Sequence, residues 1–538
     1  MSRAAPPGPV DDPAGDAAAD AAAVAAQGSP ETPRRVRLWL CVAPADVEAL
    51  RRIPAFARGR GPPREAVRLV WHDSPVAPLA PRLALCEARH GEAAPRWRLE
   101  RAAPSRHEDW GALAPPGPLA EADSPAFAGH GLPDGLVPAA AFQGTTQRWA
   151  LPDGGLVVTL LDGVLRAVAD ERPACRLTIE GEAGAAAALA RQVGDAVRVE
   201  PPRATLAAEA LRLGEPPAGP ASGPVSGPLS GWRPPRPPGV PQVPPEASVE
   251  DALRLLMRRL GEAVRHWVGR IAAPDAEGFS PEPVHQARVA CRRLRSALSL
   301  FRRAADCAEL RALSGSLRAL ATLLGAARDW DVFLDGPAAS LRRAMPGERR
   351  VARLVDGALR QRALGYRAIE AALADDRWRR FRLELALAPE LRPWRAGASA
   401  ERLAALGSPA QAYVSRRLDR ALAAMRRCGK HVLALDNEAR HDLRKAGKRL
   451  RYAAEFFAAG FPAGGSRRYL RRLAALQEAL GLLTDGAVAA QLLARLDRAG
   501  SGFAGGAALG WLAAQAAPAG DAAETAWKRL RHADPFWR

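Results

Sequence analysis

The chain of 538 residues has only six cysteines, and none lies near another: Cys41, Cys86, Cys175, Cys291, Cys307 and Cys428. With no CxxC and no Cys/His pair at ligand spacing, nothing suggests zinc or a redox pair. Scattered single thiols fit a reducing compartment. Long apolar runs are also missing. None reaches the roughly 18 residues of a membrane span, so no membrane partner is expected. The first 33 residues, rich in Ala, Pro and Asp, lack the basic start and leucine-rich stretch of a signal peptide. They read as a disordered tail on a cytoplasmic protein. Acidic residues are in deficit, 58 against 77 basic ones, giving a net charge of +19 and a pI near 10.9. Such an excess points to polyanions: nucleic acid, an anionic membrane surface or a phosphate polymer. A genome rich in G and C would also raise arginine, but it would not phase cations along a helix.

That phasing is present twice. His285 to Arg295 reads H-Q-A-R-V-A-C-R-R-L-R, and 156 residues later His441 to Arg451 reads H-D-L-R-K-A-G-K-R-L-R. Each histidine is followed by cations at steps of three, seven and ten: Arg288, Arg292 and Arg295, then Arg444, Lys448 and Arg451. At about 100° per residue these side chains share an arc of roughly 80° of a helix. The opposite faces are apolar (Ala287, Ala290, Leu294, Leu298, Phe301; Leu443, Ala446, Leu450, Ala454, Phe457). Each segment is therefore an amphipathic helix with a cationic rail. Arg293 and Arg449 widen the rails, and Arg302 and Arg303 extend the first. Arg467, Arg468, Arg471 and Arg472 form a further cluster at the start of the next helix.

The rest of the chain divides around these helices as an α+β protein. Residues 34–213 alternate in short runs separated by Pro and Gly, which predicts an antiparallel β-barrel or tunnel-like domain. Val36 to Leu40, Val67 to Trp71, Arg82 to Arg89, Arg96 to Arg101 and Cys175 to Glu180 read as strands. Leu156–Leu161 and Val164–Val168 read as a hairpin turning at Asp162-Gly163. A short helix is expected from Pro44 and another over 183–193. Residues 214–247, rich in Pro, Gly and Ser, read as a linker. From Ser248, with Asp251 as its capping partner, the pattern is helical to the end. Helices are expected near 282–304, 308–327, 348–374, 376–387, 409–427, 438–459, 466–482, 485–498 and 505–532. The 156-residue offset also aligns Leu324-Gly325 with Leu480-Gly481 and Asp329 with Asp485. A repeat of this kind predicts two bundles, 248–390 and 400–538, related by a pseudo-twofold axis.

Stacked Arg and Lys suit a rod of closely spaced negative charge. Guanidinium binds phosphate bidentately and keeps its proton. His285 and His441, beside so many cations, are expected to resist protonation. Contact with a ligand and a structural role at the helix start both remain open for them. Asp329 and Asp485 are candidates for salt bridges to rail arginines, with metal ligation as the other reading.

At V-H-Q-A-R-V-A-C-R-R-L-R-S-A-L, L-G-A-A-R-D-W-D-V, H-D-L-R-K-A-G-K-R-L-R-Y-A-A-E and L-Q-E-A-L-G-L-L-T-D-G-A-V the chain resembles the CHAD family, the conserved-histidine α-helical domain, over 248–538. Thr484 stands where that family usually has Asn. The resemblance implies a two-bundle helical fold that binds inorganic polyphosphate on a basic surface, at polyphosphate granules. It places the family's His and basic positions on His285, Arg288, Arg292, Arg293, Arg295, His441, Arg444, Lys448, Arg449 and Arg451. More weakly, V-W-H-D-S-P-V-A-P-L (Val70 to Leu79) resembles the CYTH, or triphosphate tunnel, family. That family's E-x-E-x-K is missing here, which implies a degenerate tunnel. Glu87, Glu100, Asp162 and Glu180 are the few carboxylates on or beside its strands. The leading expectation is a non-enzymatic polyphosphate-binding protein without a cofactor. A Mg²⁺-dependent triphosphatase or polyphosphatase in the N-terminal domain is the alternative. Non-specific nucleic-acid binding is a third reading, because the rails lack interleaved aromatics for base stacking. No oligomeric state follows from the sequence.

Overall fold

The computed structural model describes residues 34–57, 62–73, 83–101, 120–121, 136–167, 170–202, 204–213, 239–272, 280–429, 431–496 and 502–538. Leu38, Leu40 and Val42 are buried while Arg37, Trp39 and Cys41 between them are less so, and this alternation makes strand β1 (Arg35–Val42). Short helices α1 (Val47–Arg51) and α2 (Pro54–Ala57) follow. Strands β2 (Glu65–Asp73), β3 (Leu83–His90), β4 (Arg96–Arg101), β5 (Ala120–Glu121), β6 (Val137–Leu151), β7 (Leu156–Ala167), β8 (Glu171–Glu182) and β9 (Val199–Glu200) complete one sheet. Its order is β5-β4-β3-β2-β6-β7-β8-β1-β9, and the strands pair antiparallel. The expected barrel is corrected here. Among the described residues the edge strands β5 and β9 do not pair with each other, so the sheet is open.

The hairpin expected at Asp162-Gly163 is not there. Both residues lie inside β7, opposite Thr145 and Gly144 of β6. A Cβ on Gly144 would stand 2.2 Å from the Asp162 carbonyl oxygen, and one on Gly163 would stand 2.4 Å from that of Gln143. The glycines therefore permit a close backbone approach within the sheet rather than a reversal. The reversal falls at Asp153-Gly154-Gly155, where both glycines adopt positive φ (65° and 56°). The long strand β6 carried no strand signal because Pro138, Ala139, Ala140, Ala141 and Gly144 dilute its pattern.

Helix α3 (Ala183–Ala196) covers the β1, β7 and β8 part of the sheet, and α4 (Leu206–Leu213) covers the β2, β3 and β6 part. The Glu209 carboxylate of α4 is buried between Arg172, at 2.7 Å, and Arg176 of β8. The chain is next described from Gly239. The end of the Pro-rich stretch is strapped to the helices: the Val243 amide donates to the Phe456 carbonyl at 2.8 Å, and the Val243 side chain is buried.

The Ser248 hydroxyl accepts from the Asp251 amide at 3.1 Å and donates to its carboxylate at 2.6 Å, opening α5 (Val249–Ala272). Then come α6 (Pro281–Ala305) and α7 (Ala308–Phe333), which passes through a π turn (Leu334–Ala338) into α8 (Ala339–Ala344). After them come α9 (Arg349–Ala374), α10 (Asp376–Leu391), α11 (Ala400–Gly407) and α12 (Ala410–Arg427). The last three are α13 (Asn437–Phe456), α14 (Ala463–Arg495) and α15 (Phe503–Arg531). Helices α8 and α11 had no sequence counterpart. The expected break between 482 and 485 is absent, since Leu480, Leu492 and Leu493 keep α14 seated on the core. That helix is long and apolar enough, by length and composition, to cross a bilayer, although it contains no unbroken apolar run of that length. Here its apolar side is packed into the helical cores.

One hydrophobic core runs through both helical halves, from Val243 to Trp537. A second cluster joins Trp330, Phe333 and Leu354 of the first half to Leu492, Leu493 and Ala508 of the second. The halves thus share their interior. Helix α10 is buried from two sides: Phe381, Leu385 and Ala388 enter the helical core, while Leu383, Ala386 and Leu387 enter the sheet core. Ion pairs Arg191–Glu384 (2.5 Å), Arg380–Asp195 (2.6 Å) and Arg382–Glu200 (2.8 Å) rim that junction.

Candidate anion-binding site

The apolar faces of α6 and α13 pin the rails outward. Ala287, Ala290, Leu294, Leu298 and Phe301 are buried, as are Leu443, Leu450, Ala454 and Phe457. The two helices cross in contact. At the crossing, Glu455 of α13 reaches both Arg451, at 2.6 Å, and Arg293 of α6, at 3.5 Å. The Arg293 guanidinium also lies 5.7 Å from the Tyr452 ring centroid. Arg293 therefore ties α6 to α13 as well as adding charge, while Arg451 pairs with Glu455 within its own helix.

On either side of the crossing is a cavity. The first, 460 Å³, takes Arg292, Arg295 and Arg302 from α6, Arg311 from α7, and Lys445, Lys448 and Arg449 from α13. The second, 490 Å³, takes His285, Arg288 and Arg292 from α6, Arg328 from α7, and Arg444 and Lys448 from α13. The cavities share Arg292 and Lys448, so the basic lining is continuous. Together they are lined by ten Arg and Lys side chains and two carboxylates, Asp306 and Asp329. Asp306 pairs with Arg311 at 2.8 Å and Asp329 with Arg288 at 3.4 Å. Among the described residues Arg292 and Arg295 form no ion pair, and Nε of each is buried without a hydrogen bond, while Arg449 meets only the more distant Asp442 carboxylate.

The crowding registers in the ionisation of the groups. Burial lowers the Arg288 pKa, with Arg292 and Arg328 pushing the same way and Asp329 opposing. Burial likewise lowers that of Arg295, with Arg318 adding to it. Half-buried His285 is held below its ordinary value first by burial, then by Arg328, against Glu282. His441, its repeat partner, is exposed and lines neither cavity. The two histidines are therefore not equivalent in place.

The Leu-Gly pair has a geometric reason. A Cβ on Gly325 would stand 2.5 Å from Nη1 of Arg288, and one on Gly481 would stand 3.4 Å from Nη2 of Arg444. In the first half the glycine lets Arg288 lie against α7; in the second, Arg444 lies over Gly481 with room for a Cβ. Asp485 lies in α14, but its side chain is outside the described residues. Arg471 and Arg472 are brought not to the rails but to a separate groove between α14 and α15, with Arg529, Glu478 and Asp521. Arg467 and Arg468 are exposed and line none of these cavities.

Sequence reasoning missed Arg311, Arg328 and Lys445. Arg311, Arg318 and Gly325 follow one another at seven-residue steps along α7, a signal that could have marked its rail-facing side. It also missed the part played by Asp331. This buried carboxylate accepts from Arg362 at 2.7 Å and from the Tyr366 hydroxyl at 3.1 Å, and lies 3.7 Å from Arg328. In the sheet, Asp162 pairs with Arg51 at 3.1 Å, Glu180 with Arg37 at 2.8 Å, and Glu87 lies 3.5 Å from His72. These carboxylates are each matched separately rather than converging. The Glu100 side chain and most of the Val70–Leu79 segment lie outside the described residues.

Residues 243–494, which contain both rails and both cavities' α6, α7 and α13 walls, match the CHAD domain family model. Through this region the chain belongs to the CHAD family. The crystal structure of the CHAD domain from the plant Ricinus communis is similar at 30% identity, covering 55% of this chain and 97% of that one, with a TM-score of 0.45. PptA from Streptomyces chartreusis is similar at 18% identity, covering 53% of this chain and 99% of that one, with a TM-score of 0.38. No curated protein sequence matches the chain.

Proposed function

We propose that this CHAD protein binds inorganic polyphosphate along the basic lining of the two joined cavities, and that in the cytoplasm it associates with polyphosphate granules. The observation that carries the reading is the imbalance of ten cations to two carboxylates in the lining, with Arg292 and Arg295 in no ion pair. Cations packed this closely repel one another, and a flexible chain of phosphates relieves that repulsion at every step. Neutralising several phosphates releases condensed counterions, so affinity falls steeply as salt rises. Nucleic acid offers wider phosphate spacing and bases that meet no aromatic row on the rails.

The test is titration of long-chain polyphosphate into the protein and into a variant carrying Arg292→Glu, Arg295→Glu, Lys448→Glu and Arg449→Glu. The variant keeps its helical circular dichroism and loses binding. Affinity unchanged by the four reversals would overturn the reading. Competition with DNA at equal phosphate concentration separates the two polyanions, polyphosphate being the stronger competitor.

A further inference from the structure

The second cavity is not lined like the first. Besides Arg288, Arg328, Arg444 and Lys448, its lining includes an apolar wall of Val332, Leu482, Val488, Leu492 and Trp511, together with Gln515. Three of these are unusually exposed for apolar side chains: Val332 (39%), Leu482 (57%) and Val488 (36%). A chain of bare phosphates has nothing to offer such a wall. An anion carrying a flat apolar group does, because the cations take one end and the wall removes the other from water.

We infer that this cavity binds a nucleoside polyphosphate, phosphates on the Arg288–Arg444 side and base against Trp511. The inference rests on the polyphosphate reading for the cationic side and adds a second ligand class at the same cavity. Three observations select a base over an alkyl chain. Trp511 supplies an aromatic ring in the lining. The Gln515 amide has both a donor and an acceptor to meet a base edge. The cavity's 490 Å³ suits one compact ligand. His285, at the phosphate end, presents a neutral ring that can donate one hydrogen bond without adding to the crowded charge.

The full-length protein is titrated with ATP, with inorganic tripolyphosphate and with farnesyl diphosphate, all in the presence of a metal chelator. Tripolyphosphate carries the greater negative charge, so a purely electrostatic site ranks it above ATP. The expected result is the reverse, ATP binding about tenfold more tightly, the scale of one base stacked on one aromatic ring. Trp511→Ala removes that advantage and leaves tripolyphosphate affinity unchanged, while Trp511→Phe retains most of it. ATP no tighter than tripolyphosphate, farnesyl diphosphate tighter than ATP, or Trp511→Ala weakening ATP and tripolyphosphate alike would each overturn the inference. Long-chain polyphosphate titrated alongside keeps the two readings apart. If it binds while ATP shows no preference, this inference alone fails. If ATP binds and polyphosphate does not, the polyphosphate reading fails and the nucleotide site stands.

Discussion

At the level of single residues, the rails are set by what lies beneath and beside each cation. Gly325 and Gly481 occupy the same place in the repeat but differ in clearance, 2.5 Å against 3.4 Å for an added Cβ. Gly325→Ala forces Arg288 off α7, although alanine favours the helix by about 1 kcal/mol. Its expected signature is weaker polyphosphate binding, by several-fold, with Tm unchanged or raised. Gly481→Ala sits at ordinary contact distance and is expected to raise Tm without loss of binding. Equal effects of the two on affinity would contradict this. His285 gives a pH prediction. Its folded pKa is below the ordinary value of about 6.5, so the unfolded chain takes the proton first. The stability this represents is complete above about pH 6.5 and is lost as pH falls towards the folded value. A bound polyanion raises the histidine's pKa, so affinity increases as pH falls through the same window. Replacing His285 with Gln is expected to flatten that increase, measured by titration between pH 5.5 and 7.5.

At the level of the element, α7 is positioned by a charge the repeat does not contain. Asp331 is buried and ties α7 to α9 through Arg362 and Tyr366. Burial beside this carboxylate pushes the Tyr366 hydroxyl up to about 12. Removing one member of a buried pair leaves the rest uncompensated, so Asp331→Ala is expected to cost about 3 kcal/mol in denaturant unfolding. A loss below about 0.5 kcal/mol would show that the network does not anchor α7. The sequence could not have revealed this tie. Arg362 and Tyr366 lie on another helix at no fixed spacing from Asp331, and Ala487 occupies its place in the second copy. The rails were legible because their information is local: cations at three, seven and ten, an apolar face opposite, and the same again 156 residues later. Their meeting in two shared cavities was not, since that depends on how α6 crosses α13. Asp162-Gly163 shows the opposite failure. A strong local turn signal was overridden by pairing with Gly144, because two facing glycines also suit two backbones that pass close together.

At the level of the whole molecule, the sheet and the helices meet at α10, whose apolar side chains are divided between the two cores. Leu383 and Leu387 fill the sheet core, and Phe381 and Leu385 fill the helical one. Burying a leucine stabilises by about 2 kcal/mol, so deleting the sheet exposes apolar surface the helical region cannot cover itself. The fragment 239–538 is therefore expected to aggregate or to melt at a lower temperature than the full chain. Leu383→Lys with Leu387→Lys in that fragment is expected to restore solubility. Binding is a separate matter, because both cavities are lined entirely from α6, α7 and the turns following them, α13, α14 and α15. The solubilised fragment is expected to hold polyphosphate within about twofold of the full chain, since none of the described residues between 34 and 213 lines either cavity. A solubilised fragment that folds, by near-ultraviolet circular dichroism, yet binds tenfold more weakly would show that the sheet shapes the rails through α10. In that case the contact to disrupt next is the ion-pair rim of Arg191, Arg380 and Arg382, which carries the junction's charge without touching either core.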